Sequence, residues 1–147
     1  MLTNVNLRSN LAVYAQIENQ VRFAIASGQL KAGDQLPSIQ ELAQRFEVNP
    51  NTIAKSYRDL EVMGYVRTRR GMGVFINEDI DEACRESCRR SIVSRLYEVI
   101  TEAKAAGITA TDLRDIMQKC AAVASTPYSD MPTEILALTK QLSATRK

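Results

Sequence analysis

At 147 residues, 45% of them hydrophobic and 24% charged, the chain is sized for one standard domain or two small ones. Its cysteines, three and therefore odd in number, argue against a disulfide scaffold and suit a reducing cytoplasm. No apolar run approaches a membrane span, and no basic-then-apolar leader is expected. The formal net charge of +2 is low for a binder of polyanions, but it is unevenly placed. From Asn51 to Gly73 the five basic residues Lys55, Arg58, Arg67, Arg69 and Arg70 meet two acidic ones, Asp59 and Glu61. Residues 79–147 carry ten basic and ten acidic residues and so balance. Local placement matters more than the total, because phosphate contact is short-ranged in salt.

In chain order, the polar tract Met1 to Asn10 is expected to be loosely held. A helix over Val13–Ser27 follows, with Tyr14, Ile17, Val21, Ala24 and Ile25 as its core face and Gly28 closing it. Ser38 caps a second helix in a capping box with Glu41, and Ile39, Leu42, Ala43 and Phe46 recur at helical spacing. Glu47-Val48-Asn49 turns the chain. Asn49 is a good N-cap, and Pro50 at the first helical position loses no hydrogen bond there. Ile53, Tyr57 and Leu60 form the buried stripe of the third helix, with Asn51, Lys55 and Arg58 opposite and Gly64 as the stop. Tyr65, Val66 and Thr68, then Val74 and Ile76, predict a hairpin turning through Arg69-Arg70-Gly71-Met72-Gly73.

Asn77-Glu78-Asp79 is a plausible joint, dividing the chain into 1–78 and 79–147. Beyond it Ile80, Cys84, Cys88, Ile92, Leu96, Val99 or Ile100, and Ala103 make an apolar stripe on a long helix ending at Gly107. A second tail helix starts near Thr109 or Thr111 and places Leu113, Ile116, Met117, Cys120 and Val123 on one face. After a break bracketed by Pro127 and Pro132, Thr133 caps a last helix carrying Ile135, Leu138 and Leu142. Two or three amphipathic helices cannot bury such stripes alone, so self-association through Ile80, Cys84, Cys88, Ile92, Leu96, Val99, Leu113 and Ile116 is expected.

The fold class is therefore mainly α with a small β-wing: an N-terminal winged helix-turn-helix and a short helical dimerisation domain. This arrangement presents one helix end and one loop to a DNA duplex. Asn51 can bond a base edge or a phosphate, and Thr52 can also touch a thymine methyl. Lys55 and Arg58, farther along, suit phosphates or a guanine edge. Ser38, Gln40 and Asn49 stand at the two helix starts. Arg67, Arg69, Arg70 and Gly71 belong to the wing, where arginines follow the backbone or enter a narrow A·T minor groove.

At these residues the chain resembles a known family. Tyr14-Ala-Gln-Ile17, Val21-Arg22, Ile25, Gly28-Gln-Leu30 and Gly33-Asp-Gln-Leu36-Pro37-Ser38 look like the opening of a GntR-family winged-helix transcription regulator. Val48-Asn49-Pro50-Asn51-Thr52-Ile53, Glu61 through Tyr65, and Arg69-Arg70-Gly71-Met72-Gly73-Val74-Phe75-Ile76 resemble its short YtrA-type branch. The family usually carries a basic residue where Gln40 stands; glutamine can bond a phosphate but adds no charge. The resemblance implies double-stranded operator DNA as partner and a dimerising tail.

The resulting expectation is a cytoplasmic, homodimeric, sequence-specific regulator, more often a repressor than an activator, bound to an inverted repeat. A small-molecule effector is left open, and no cofactor or metal is called for. Cys84, Cys88 and Cys120 could sense a soft metal or oxidation, but each falls on an apolar stripe, where free cysteine packs as a small apolar residue. Tyr97 and Tyr128 could line a ligand cleft or simply pack. With no histidine and no Gly-rich nucleotide loop, an enzyme is not expected. A winged helix docking another protein is the competing reading; Asn-Pro-Asn-Thr at the helix tip and the wing arginines favour DNA.

Overall fold

The computed structural model describes residues 2–80 and 82–144. In order, α1 spans Val13–Ala26, α2 Ile39–Phe46, α3 Pro50–Val62, β1 Val66–Arg69, β2 Gly73–Ile76, α4 Glu82–Ala105, α5 Ala110–Val123 and α6 Thr133–Ala144. Two compact units divide the chain, Met1–Ser91 and Ile92–Lys147.

In the first unit α1 and α2 both pack on α3. Ile17, Val21 and Ile25 of α1, Leu42 of α2, and Ile53 and Leu60 of α3 are all at most 1% exposed, so the core lies where the three helices meet. Removing one such side chain to alanine costs about 2–5 kcal/mol. Tyr57 joins this core with its hydroxyl donating to the Pro37 carbonyl at 2.7 Å, and burial pushes its pKa well above the ordinary tyrosine range. Ser56, fully buried, lies between the carbonyls of Tyr14 (3.1 Å) and Thr52 (3.0 Å), letting α1 and α3 approach closely.

The helix boundaries have the expected chemistry. Ser38 Oγ accepts from the Glu41 amide at 3.1 Å, the forward half of the expected capping box. Asn49 Oδ1 accepts from the Asn51 amide at 2.8 Å with Pro50 next. The turn between α2 and α3 hinges on Glu47, whose φ of 55° is left-handed, a conformation more at home in glycine. The hairpin pairs Val66 with Ile76, Arg67 with Phe75, Thr68 with Val74 and Arg69 with Gly73.

Two features depart from the sequence reading. Leu2 is 1% exposed, and residues 2–6 of the tract expected to be loose are docked on α1. Two buried glutamines one turn apart hold it. Gln16 accepts from the Asn6 amide at 2.8 Å and donates to the carbonyls of Asn6 and Leu11, each at 2.8 Å. Gln20 accepts from the Thr3 amide at 2.7 Å, and the Arg45 guanidinium donates to the Leu2 carbonyl. The tract is fixed because these amides satisfy its backbone where no helix or strand could. The second departure is residues 33–36, which run antiparallel along the free edge of β2: Leu36 N–H donates to Val74 O at 2.8 Å and Ile76 N–H to Asp34 O at 2.7 Å.

The first turns of α4 belong to the first unit. Ile80 and Cys84 pack against its core and Cys88 is 2% exposed. In the second unit the chain leaves α4 through a turn at Gly107 (φ 84°), where Ile108 N–H reaches the Ala103 carbonyl at 3.0 Å. Of the two threonines considered, Thr109 caps α5, accepting from the Asp112 amide at 3.1 Å. α5 packs on α6, whose first residue is Thr133. Leu113, Ile116, Cys120, Val123, Ile135 and Leu138 are half-buried, while the side chain of Leu142 lies outside the described residues. Ile92, Leu96 and Val99 are exposed.

Candidate nucleic-acid interface

The N-terminus of α3 stands clear of the core because Ile53, Tyr57 and Leu60 turn the opposite face inward. Asn51 is exposed and Thr52 half-exposed on the first turn, and Arg58 is exposed two turns on. Ser38, Gln40 and Asn49 are also exposed; Ser38 and Asn49 spend their side-chain oxygens as caps, leaving Gln40 as the freer polar group at the start of α2.

Lys55 is not a free cation. Its Nζ lies 2.7 Å from the Asp59 carboxylate one turn on, and 4.3 Å from the centre of the Tyr14 ring. Asp59 in turn faces Glu18 of α1. Burial, reinforced by the neighbouring Asp59 carboxyl, raises the Glu18 pKa to about 7, while the hydrogen-bonded Lys55 ammonium holds Asp59 low. Lys55 must exchange Asp59 for a phosphate if it is to bind one.

The wing carries its arginines in a graded way. Arg69 and Arg67 both reach Glu78 Oε1, at 3.0 and 3.5 Å, and Arg69 lies over the Phe75 ring at 4.9 Å. Arg70 and Gly71 stand exposed at the tip, and among the described residues Arg70 has no ion-pair partner. Gly71 takes φ 75°, which lets the tip turn sharply. Glu61, in the last turn of α3, accepts from the Thr68 amide at 2.8 Å and so ties β1 to the helix. Asn77 donates to the Gly64 carbonyl at 3.2 Å, and its amide to Tyr65 O at 3.0 Å, closing the base of the hairpin.

Sequence reasoning overlooked Gln35, Glu78, Glu18 and Tyr14 here. The i,i+4 spacing of Lys55 and Asp59 is a signal that could have found their pairing; Glu78 and Gln35 act across the fold, where spacing is silent. Among the described residues no group of histidine, cysteine and carboxylate side chains is gathered to hold a metal. Cys84 and Cys88 lie in the first unit and Cys120 in the second. In the second unit a cavity of about 440 Å³ is lined by Cys120, Val123, Pro127, Tyr128, Met131 and Ile135 among others, while Tyr97 is an exposed residue of α4. No helix among the described residues is long and apolar enough to cross a membrane.

A three-helix core with a two-stranded wing, polar side chains at the tip of α3 and arginines on the wing defines a winged helix-turn-helix DNA-binding regulator. Residues 13–76 match the family model described as bacterial regulatory proteins, gntR family. The chain is similar to the HTH-type transcriptional repressor YtrA of Bacillus subtilis (strain 168), 33% identical over 121 residues that cover 82% of this chain and 93% of that protein. It is 32% identical to the solved structure of a GntR family transcriptional regulator from Listeria monocytogenes, with a TM-score of 0.63 over 77% of this chain and 98% of that one. A transcriptional antiterminator from Listeria monocytogenes EGD-e is 27% identical with a TM-score of 0.64, over 82% and 90% of the two chains. The chain belongs to the GntR family of transcription regulators, which are not enzymes, and resembles its YtrA-type members.

Proposed function

We propose that this regulator is a homodimeric repressor, acting in the cytoplasm, that occupies an inverted-repeat operator. The first turn of α3 reads bases in the major groove and the wing tip lies at the adjacent minor groove. The observation that carries the reading is the joint exposure of Asn51 and Thr52 on α3 with Arg70 and Gly71 on the wing, which Glu61 ties to the same helix. Asn51 suits an adenine edge and Thr52 a thymine methyl. Ser38, Gln40, Asn49, Lys55, Arg58, Arg67 and Arg69 flank them as phosphate contacts.

Dimerisation is assigned to the apolar residues of the tail. Ile92 (42%), Leu96 (41%) and Val99 (57%) lie exposed on α4, and Leu113 and Ile116 half-exposed on α5. A second copy burying this surface would stabilise both. Ile80, Cys84 and Cys88 already sit in the first unit, so their part is to anchor the start of α4. Repression is supported by the likeness to the transcriptional repressor YtrA of Bacillus subtilis.

In vitro selection of random DNA with the full chain, together with sedimentation equilibrium, tests this reading. Selected sequences should show two related half-sites, and the free protein should sediment as a dimer that Leu96→Glu dissociates. Single half-sites bound by a monomer would refute it.

A further inference from the structure

Gln35 lies on the 33–36 segment beside β2, before the helices to which the base-reading groups belong. Its side chain runs to the wing tip, where Nε2 donates to the Met72 carbonyl at 2.9 Å, a contact between residues 37 apart in sequence. The adjacent residue leaves room for it: a Cβ added at Gly73 would lie 2.7 Å from Gln35 Nε2. Gly73 also takes φ 121°, so the strand and the amide meet where L side chains rarely fit. The Met72 amide donates to the Arg69 carbonyl at 2.9 Å across the turn itself. The tip residues Arg70, Gly71 and Met72 are otherwise exposed. A short exposed hairpin tip of this kind belongs to the least stable part of a domain.

We infer that Gln35 is a positioning residue for DNA recognition: it pins the wing tip through the Met72 carbonyl and so sets where Arg70 and Gly71 meet the groove. The inference rests on the proposed placement of the wing at the minor groove. Gln35 carries no charge and is exposed, so its loss leaves overall stability and charge attraction to DNA largely intact. What it supplies is the order of a segment that would otherwise have to be fixed on binding.

The test uses the full chain and an operator obtained by in vitro selection. Gln35→Met keeps length and apolar volume without a donor and without a change of charge; Gln35→Glu keeps the shape, sets acceptor against acceptor and adds a negative charge at the wing. Hydroxyl-radical footprinting reads the minor-groove flank, dimethyl sulfate protection reads guanines under α3, and thermal melting reads the fold. Gln35→Met should lose flank protection and weaken operator binding by roughly two- to tenfold, the worth of one neutral hydrogen bond. Gln35→Glu should lose the same protection with a larger fall in affinity that shrinks as salt is raised. Protection under α3 and the melting temperature should stay as in the parent. Intact flank protection and affinity in Gln35→Met overturn the role of Gln35, as does parallel loss of both footprints with a lowered melting temperature. Absence of flank protection in the parent protein overturns the placement of the wing itself and the inference with it.

Discussion

Replacing Gln16 by methionine isolates the hydrogen bonds that fix the N-terminal tract. Methionine matches glutamine in length and nearly in volume, so the fully buried site stays filled and no cavity term enters. Three bonds disappear: the one accepted from Asn6 N–H and the two donated to the carbonyls of Asn6 and Leu11, all at 2.8 Å. At about 1 kcal/mol net for each neutral bond, the loss is about 3 kcal/mol. Detachment of the tract limits this sum, because freed backbone groups recover water at the expense of uncovering Leu2, worth about 1.5–3 kcal/mol. The two routes converge on a destabilisation of about 2–3 kcal/mol. Urea unfolding of the full chain at fixed protein concentration measures it, and hydrogen exchange at the Asn6 amide shows whether the tract has let go. A loss well under 1 kcal/mol, with Asn6 exchange unchanged, would refute the reasoning, since the tract would then be held by something other than this amide.

Asn51→Ala should cost about 1–3 kcal/mol on the operator and little on random DNA, as competition binding at matched salt would show. Glu78→Gln removes the carboxylate that engages Arg67 and Arg69, so all DNA should bind more tightly and with a steeper salt dependence, read by anisotropy titrations across salt. Glu18 has a folded-state pKa raised from 4.5 to about 7, so its protonated form favours the fold; that contribution is complete below 4.5 and is lost as pH rises through about 7. Glu18→Gln should therefore raise the melting temperature at pH 8 and converge on the parent near pH 4.5, and a difference flat across that window would count against the raised Glu18 pKa. Glu47→Gly relieves a left-handed non-glycine turn and should stabilise the first unit by about 0.5–1 kcal/mol in thermal melts.

The winged helix was legible because its signals are local. Ser38, Asn49 and Pro50 declare helix starts within three residues, and Gly64 and Gly71 declare the turns. The docked N-terminal tract was not legible, because Gln16 and Gln20 look like the polar side of an amphipathic helix until a chain segment lies over them. Segment 33–36 is short and lacks alternation, so its pairing with β2 depends on a neighbour distant in sequence. From Ile80 into α4, apolar periodicity marks Ile80, Cys84 and Ile92 alike. It does not say that the first two pack on the winged-helix core while Ile92 lies exposed. At the interface, residue types identify Arg67 and Arg69 as cations, but only the fold brings both to Glu78.

The bond from the Thr68 amide to Glu61 makes α3 and the wing a single ruler. A ruler of fixed length dictates spelling distance as well as spelling. On the proposed reading, in which Asn51 meets bases and Arg70 a narrow step of the same half-site, those two contacts must keep constant phase. One inserted base pair displaces them by about 3.4 Å along the axis and rotates one away from the other around it. On that reading, drift in the spacer between half-sites would fall to the tail, whereas drift inside a half-site would strain the Glu61–Thr68 tie. Natural sites for this regulator should accordingly tolerate letter changes between the two contact points far better than a change in their number.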